Sequence, residues 1–437
     1  MNNSYILKAI VFIGCVFTQL LHSGTALAAD TRPPNVILIL SDDQGFTDYG
    51  FMGSKIAKTP NIDRMASESL TYTRGYVMPV CSPSLASLLT GKLPHKHGIT
   101  GNDLSAQAIK TEQTKTKQNR VPLSQHLLKN TMILPKALTQ AGYLTFQTGK
   151  LWNVTAKEVG FSDGMTNKEG RHGGDGLTIG RESMKPIYDF ITNAKAQQKP
   201  FFIWYAPMLP HQPHNPPKAL LAKYEGKGMS MNSMKYYAMV EWFDQTCGEL
   251  DSFLVKEKQY ENTIIIYMAD NGWDAEQGPR AKLSPYELGI RTPMFVRWPG
   301  KVKPLRDDET LASIIDFVPT TLKACGVNVP AELPGVDLLD RKSMTDRKAI
   351  FVEAYRHDIT DLNQPEKSLV TRVIIDGWMK LLIPTANRPD KTFASAPTEI
   401  ELYDLKSDPF EKKNLAKDRP DDVARLRAIQ DAAWAIK

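Results

Sequence analysis

Pro34-Asn35-Val36-Ile37-Leu38-Ile39-Leu40-Ser41-Asp42-Asp43 contains an unbroken apolar run that stops at two carboxylates. A strand with one wet face alternates apolar and polar residues. A run apolar at every position suits a strand covered on both faces, as at the centre of a parallel sheet. Two further stretches read the same way. They are Pro200-Phe201-Phe202-Ile203-Trp204-Tyr205 and Asn262-Thr263-Ile264-Ile265-Ile266-Tyr267-Met268, the second closing on Asp270-Asn271. Helical patterns lie between them. Thr59-Pro60-Asn61-Ile62-Asp63 opens a helix read through Leu70, and residues 132–141 form another, followed by a strand over 143–148. Residues 185–195 and 234–256 are also helical, the last long and amphipathic. Strands alternating with helices predict an α/β fold, a mostly parallel sheet flanked by helices. Such sheets hold ligands beyond the carboxyl ends of their strands. Asp42-Asp43, His211 and Asp270-Asn271 each follow a predicted core strand.

Working outward, residues 103–125 are polar and read as an exposed insertion or loop. Past Pro334-Gly335 the texture changes to short strands around 350–352, 369–375, 378–383 and 401–404. A last helix covers 421–437. This predicts a smaller C-terminal antiparallel sheet plus helix. The 437 residues accommodate a large domain over 30–335 and a subdomain over 336–437. A hydrophobic content of 42% and a charged content of 23% are those of an ordinary globular protein. Residues 1–29 read as a signal peptide, with Lys8, an apolar run from Ala9 to Leu21, and Ala26-Leu27-Ala28 as the cleavage site. The run is short for a membrane span. The expected mature chain is periplasmic or secreted, free of the membrane, with no nucleic-acid partner. Its net charge falls from +6 to +5 with the loss of Lys8. Cys247 and Cys325 admit two readings, a disulfide or two buried thiols.

The chemistry centres on Cys81-Ser82-Pro83-Ser84-Leu85-Ala86-Ser87-Leu88-Leu89-Thr90-Gly91, which begins a helix near Ser84. A helix start presents backbone N–H groups to an anion. The acidic pairs Asp42-Asp43 and Asp270-Asn271 offer the hard oxygens that calcium takes; taken singly, each also reads as a turn or cap. Lys150 follows Thr148-Gly149. Lys282 stands five residues before Glu287, and His211 sits in Pro210-His211-Gln212-Pro213-His214. Arg171-His172-Gly173-Gly174-Asp175-Gly176 is either a ligand-reaching loop or a turn. Glu353, Tyr355, His357 and Asp358 are candidates to line a sugar pocket, and His95, His97 and His214 read equally as structural.

The Cys81–Gly91 stretch resembles the signature of type I, formylglycine-dependent sulfatases of the alkaline phosphatase superfamily: Cys-x-Pro-Ser-Arg, then Thr-Gly. Other stretches resemble that family's landmarks in order. They include Pro34-Asn35-Val36, Thr59-Pro60-Asn61-Ile62-Asp63, Tyr205-Ala206-Pro207, Glu287-Leu288-Gly289-Ile290-Arg291-Thr292-Pro293, Asp316-Phe317-Val318-Pro319-Thr320 and Glu401-Leu402-Tyr403-Asp404-Leu405. The resemblance spans residues 34–416, extends to bacterial polysaccharide sulfatases, and implies an alkaline-phosphatase-like fold. It implies a sulfuric ester hydrolase acting on a sulfated carbohydrate. Cys81 would be converted to formylglycine by a maturation enzyme, and calcium held by Asp42, Asp43, Cys81, Asp270 and Asn271. Lys150, His211 and Lys282 would surround the sulfate, with His172 a further substrate contact. Two positions depart from the family pattern: Leu85 stands where the signature has arginine, and Trp152 where the Gly-Lys-x-His stretch has histidine. The rival expectations are a phosphonate monoester or phosphodiester hydrolase of the same superfamily, and a non-catalytic binder of sulfated glycans.

Overall fold

The apolar run after Pro34 is the middle of a large sheet. The computed structural model describes residues 32–436 except 116–120, 153, 167–173, 274–275, 277 and 388–394, so the signal-peptide reading lies outside the described residues. In chain order the strands are β1 (Asn35–Ser41), β2 (Leu70–Tyr76), β3 (Asp103–Leu104), β4 (Leu144–Gly149), β5 (Asp163–Gly164), β6 (Phe201–Ala206) and β7 (Thr263–Ala269). There follow β8 (Arg291–Arg297), β9 (Leu305–Ser313), β10 (Ala349–Tyr355), β11 (Asp358–Ile359), β12 (Leu369–Asp376), β13 (Met379–Pro384) and β14 (Glu401–Asp404). Eight of them form one sheet in the order β5-β4-β6-β1-β7-β8-β2-β9. β1 pairs in parallel with β6 on one side and β7 on the other, Ile37 lying opposite Ile203 and Ile265.

Side-chain alternation explains the unbroken apolar runs. Val36, Leu38 and Leu40 enter one core, with Phe202, Trp204, Ile264 and Ile266. Ile37 and Ile39 enter the other, with Ile203, Tyr205, Ile265 and Tyr267. Each face is roofed by helices. The helix Met231–Lys256 lays Met239, Phe243, Cys247, Leu250 and Leu254, at helical spacing, into the second core. Its start is capped by Ser230, whose Oγ accepts from Ser233 N at 3.0 Å. The fully buried helix Cys81–Thr90 roofs the first core with Leu85, Leu88 and Leu89 and ends at Gly91, whose φ of 69° a residue with a Cβ rarely adopts.

The sequence reading needs two corrections here. The helix from Pro60 ends at Ser67, and Leu70 begins β2. Ser69 Oγ and Thr71 Oγ1 take the last-turn carbonyls of Met65 and Ala66, closing the helix. Residues 103–125 are not simply loop: β3 and the helices Ala106–Thr111 and Val121–Leu127 occupy it, burying Ala108, Leu123 and Leu127. The large sheet is mostly parallel, as the sequence implies, with one antiparallel member, β8, paired with both β7 and β2. Cys247 and Cys325 are free thiols.

The second sheet is antiparallel, in the order β10-β12-β13-β14. The helix Pro420–Ala433 covers it through Leu426, packed with Ile374, Leu381, Ile383 and Leu402. Lys380 on β13 is fully buried, 3.1 Å from Glu287 Oε1 and 2.8 Å from Glu411 Oε1. Glu411 in turn accepts from Glu287 N at 2.7 Å and takes the Arg280 guanidinium on its carbonyl. This network pins the segment that carries Lys282 to the smaller sheet. Removing the cation leaves two buried carboxylates facing one another, which typically costs ~3–5 kcal/mol. Lys380→Met is therefore expected to lower unfolding free energy by about that amount in a denaturant titration; a loss under ~1 kcal/mol would contradict the reading.

Candidate active site

β1 and β7 are neighbours and parallel, so their carboxyl ends deliver Asp42-Asp43 and Asp270-Asn271 to one place. Asp43 turns back with a φ of 63°, and its N–H donates to Asp270 Oδ1 at 3.0 Å. Asn271 Nδ2 donates to Asp43 Oδ1 at 2.7 Å. Ligand atoms of Asp42, Asp43, Cys81 and Asp270 all lie within 4.8 Å of one another. The cluster is buried, and two of its oxygens, Asp42 Oδ2 and Asn271 Oδ1, have no hydrogen-bond partner among the described residues. Buried acceptors are rarely left unsatisfied.

Two lysines oppose the three carboxylates. Lys150 Nζ donates to Asp42 Oδ1 at 2.6 Å and to Asp270 Oδ2 at 3.4 Å. Lys282 Nζ reaches both oxygens of Asp43 at 2.5 Å. The balance is still short of positive charge. Burial, then the charge of Asp42, pushes the Asp270 carboxyl up to about 7. Burial also raises Asp42, with Lys150 acting against it and Asp43 adding to it. Asp43 alone is held well below the ordinary carboxylate range, because Lys282, His211 and Lys150 together outweigh its burial. Aimed hard oxygens, two of them orphaned, in a pocket deficient in positive charge fit a calcium ion.

Cys81 is the first residue of its helix, and no acidic residue occupies that first turn. Its Sγ lies 4.0 Å from Asp43 Oδ1. Ser84 fixes the helix start to the acidic cluster, its Oγ donating to the Asp270 carbonyl at 2.6 Å. Burial pushes the Cys81 thiol up to about 12, against the pull of Lys150 and Lys282. An unmodified thiol here is almost entirely protonated at neutral pH and a poor nucleophile. Leu85 packs in the apolar core.

A cleft of about 310 Å³ opens over the thiol, lined in part by Asp43, Cys81, His211, Lys282, Trp152 and His357. His211 Nε2 stands 3.5 Å from Asp43 Oδ2, and its Nδ1–H donates to the Gln212 carbonyl at 2.5 Å. Burial draws its pKa down to about 4; Asp43 resists while Lys150 and Lys282 add to the fall. Near neutral pH the imidazole is therefore uncharged, with its proton on Nδ1.

The other candidates separate clearly. His172 falls outside the described residues. His97 is buried 3.2 Å from Ser87 Oγ, His214 faces Asn232, and His95 pairs with Glu353 and stacks on Trp434. Tyr355 donates to Glu353 at 2.7 Å, so that pair turns away from the cleft and only His357, with Asp358 behind it, serves the wall. Asn102, Gln212 and Trp273 also line the cleft and went unread in the sequence. Asn102 sits at the edge of a segment read as loop, and no spacing signal marks it.

The sulfatase family profile matches residues 34–327, and the profile described as N-sulphoglucosamine sulphohydrolase, C-terminal, matches residues 276–428. The N-acetylgalactosamine-6-sulfatase of Canis lupus familiaris is 29% identical over 389 residues, covering 77% of this chain and 71% of that protein. The ulvan-active sulfatase of Formosa agariphila is 27% identical over 471 residues, covering 97% of this chain and 86% of that one. Among solved structures, the crystal structure of Ps i-CgsB is similar with a TM-score of 0.73 at 24% identity, over 93% of this chain and 94% of the other, a likeness of fold.

Proposed function

The chain belongs to the sulfatase family, with its alkaline-phosphatase-like α/β fold, and from that premise we propose a calcium-dependent enzyme that removes sulfate from a sulfated carbohydrate through a formylglycine made from Cys81. The sulfuric ester hydrolase activity belongs to the family. The finer reading is supported above all by the convergence of Asp42, Asp43, Asp270, Asn271, Lys150, Lys282 and His211 on position 81. The named activities of the relatives on N-acetylgalactosamine and ulvan favour a sugar as the alcohol.

Asp42, Asp43, Asp270 and Asn271, with the modified residue 81, would hold calcium, which when bound supplies charge neutralisation for a sulfate oxygen. Formylglycine at position 81 supplies a hydrated aldehyde as nucleophile. The chain's own groups do the rest. Lys282 on the cleft wall and Lys150, buried behind it against Asp42 and Asp270, bring two positive charges toward an anionic ester, and the start of helix Cys81–Thr90 adds backbone dipoles of the same sign. His211 has Nδ1 committed to Gln212, so Nε2 is the atom that can exchange a proton with the substrate. The negative charge of a bound ester favours the imidazolium, opposing the burial that draws its pKa down.

Export and maturation belong to the same proposal. Among the described residues no helix is long and apolar enough to cross a membrane. The leader read in residues 1–29 supports a periplasmic or secreted enzyme. Leu85, buried where the family signature has arginine, implies a maturation enzyme that does not depend on that side chain.

Sulfate release from sulfated monosaccharides, run beside matched phosphate monoesters, phosphodiesters and phosphonates, tests the reading. Turnover of the phosphorus esters without sulfate release would replace it. Within that assay His211→Ala is expected to lose about 10²–10⁴-fold in kcat/KM on a sugar sulfate, whose alcohol leaves poorly without a proton. The loss on an activated aryl sulfate should be much smaller. Equal losses on the two substrates would reduce His211 to a binding role.

A further inference from the structure

A second cavity opens at the edge of the large sheet, on the end away from the catalytic cleft. The acidic pairs follow the carboxyl ends of β1 and β7. β8 is antiparallel to both β7 and β2, so β2 points the same way as β1, and β9 is parallel to β2. Leu70 and Leu305, opposite one another in register, begin β2 and β9, and Trp298 follows the end of β8. These residues therefore meet at the amino end of the sheet, a strand's length or roughly 20 Å from the catalytic end. The cavity is about 500 Å³, lined in part by Trp298, Lys301, Lys303, Leu305, Leu339 and Arg341. That size suits a small molecule or one short stretch of a longer one.

The loop that frames it is preset. Trp298-Pro299-Gly300-Lys301 is a tight turn, with Lys301 N donating to Trp298 O at 3.1 Å and Gly300 at a φ of 70°. Pro299 and Pro304 stiffen its two ends. Three cations line the cavity and no acidic side chain does. Arg341 is held by Asp307, Nη2 lying 2.6 Å from Oδ2. The other carboxylates nearby in sequence are also engaged, Asp308 with Arg306 and Asp340 with Lys323. Lys301 and Lys303 have no ion-pair partner among the described residues. Two uncompensated positive charges thus stand beside a half-buried indole.

We propose that this cavity is a non-catalytic binding site for a sulfated stretch of polysaccharide, which tethers polymeric substrate to the enzyme. The inference rests on the sulfated-carbohydrate reading of the proposed function. The two surfaces are complementary. The ammonium groups of Lys301 and Lys303 attract sulfate oxygens, and the indole of Trp298 with Leu305 and Leu339 offers an apolar bed to the C–H face of a sugar ring. Because the turn is already ordered, binding sacrifices little loop entropy. A sugar held here cannot also reach Cys81, so only a chain spans both places, and its second attachment is then intramolecular. Lysines beside an edge strand such as β9 also discourage pairing with another chain. That role requires neither the indole nor a cavity.

The test uses the full-length matured enzyme, with dextran sulfate as the probe and unsulfated dextran as the uncharged control. Binding is read by calorimetry and turnover on 4-nitrophenyl sulfate. Lys301→Glu/Lys303→Glu reverses two exposed charges and should weaken dextran sulfate binding by about tenfold or more. Trp298→Leu alters no charge and keeps an apolar side chain over the core; it should weaken binding by roughly threefold to tenfold. Lys185→Glu/Lys195→Glu makes the same change in net charge on the helix Lys185–Ala196, which packs against the other core. It should alter affinity by less than about twofold. All three variants should turn over 4-nitrophenyl sulfate as the parent does, since none of these residues lines the cleft. Equal losses in the two lysine pairs, or no loss in Trp298→Leu, would reduce the attraction to net charge and overturn the site while leaving the enzyme's function standing. A parent that binds phosphatidylserine vesicles and not dextran sulfate would overturn it too, giving the lysines to a membrane surface. A parent that binds dextran sulfate through these residues and releases no sulfate from any ester would leave the site standing and overturn the proposed function.

Discussion

Cys81→Ala is expected to abolish turnover and to leave the fold intact. The side chain is buried and small, and its nearest polar contact is a sulfur 4.0 Å from a carboxylate oxygen, too weak to hold structure. The start of the helix is held by other groups, Ser84 Oγ on the Asp270 carbonyl and Ser82 N–H on Asn102. Alanine is also the best helix former. Stability is therefore expected to change by ~1 kcal/mol or less, within the range of mild substitutions. Activity has no such reserve. Removing a covalent nucleophile from a site whose other groups are organised around it costs on the order of 10⁴-fold or more. The check is kcat beside the melting temperature. A variant that keeps a substantial share of parental activity would show that residue 81 is not the nucleophile.

Asp43→Ala is the second large effect, and its clearest readout is thermal. Asp43 touches Lys282 and Asn271, lies 3.5 Å from His211 and near Cys81, and carries the one carboxyl of the three with a depressed pKa. It is the anion that the site keeps ionised. A ligand bound only by the folded state stabilises it by about 2.7 kcal/mol at a hundredfold excess over Kd. The parent, stripped with a chelator, should therefore gain melting temperature when calcium is returned, and Asp43→Ala should gain little or none. Activity should collapse in parallel. An unchanged calcium-induced rise in the variant would show that the metal site is elsewhere.

The parts of this molecule that could be read in advance are those whose physical cause is local. β1, β6 and β7 lie between two cores, so apart from Asn35, Ser41 and Thr263 at their ends every residue in them is apolar and the strands announce themselves. The helix Met231–Lys256 carries its core residues at helical spacing. β2 was hidden because its burial depends on distant partners. Arg74 is fully buried in it, donating to the carbonyls of Glu309 and Gly377 and stacked 3.7 Å from the Trp378 ring. Nothing within Leu70–Tyr76 signals those contacts. The same division holds at the site. The acidic pairs and the cations sit at strand ends and in recognisable stretches, and the fold brings Asp42, Asp43, Asp270, Asn271, Lys150, Lys282, His211 and Cys81 together. Asn102 and His357 meet only through the pairing of β3 with β11, 255 residues apart in the case of the two side chains. Contact at that separation leaves no periodic trace in either segment.

Leu85 makes maturation the pivot of the whole account, because the chemistry assigned to position 81 requires an aldehyde and the buried thiol is a poor nucleophile. The direct measurement is the mass of the peptide containing residue 81, taken from enzyme purified from its native host with its sulfatase activity recorded on the same sample. The account predicts formylglycine in the active preparation. A fully active enzyme in which that peptide carries an unmodified cysteine would contradict it.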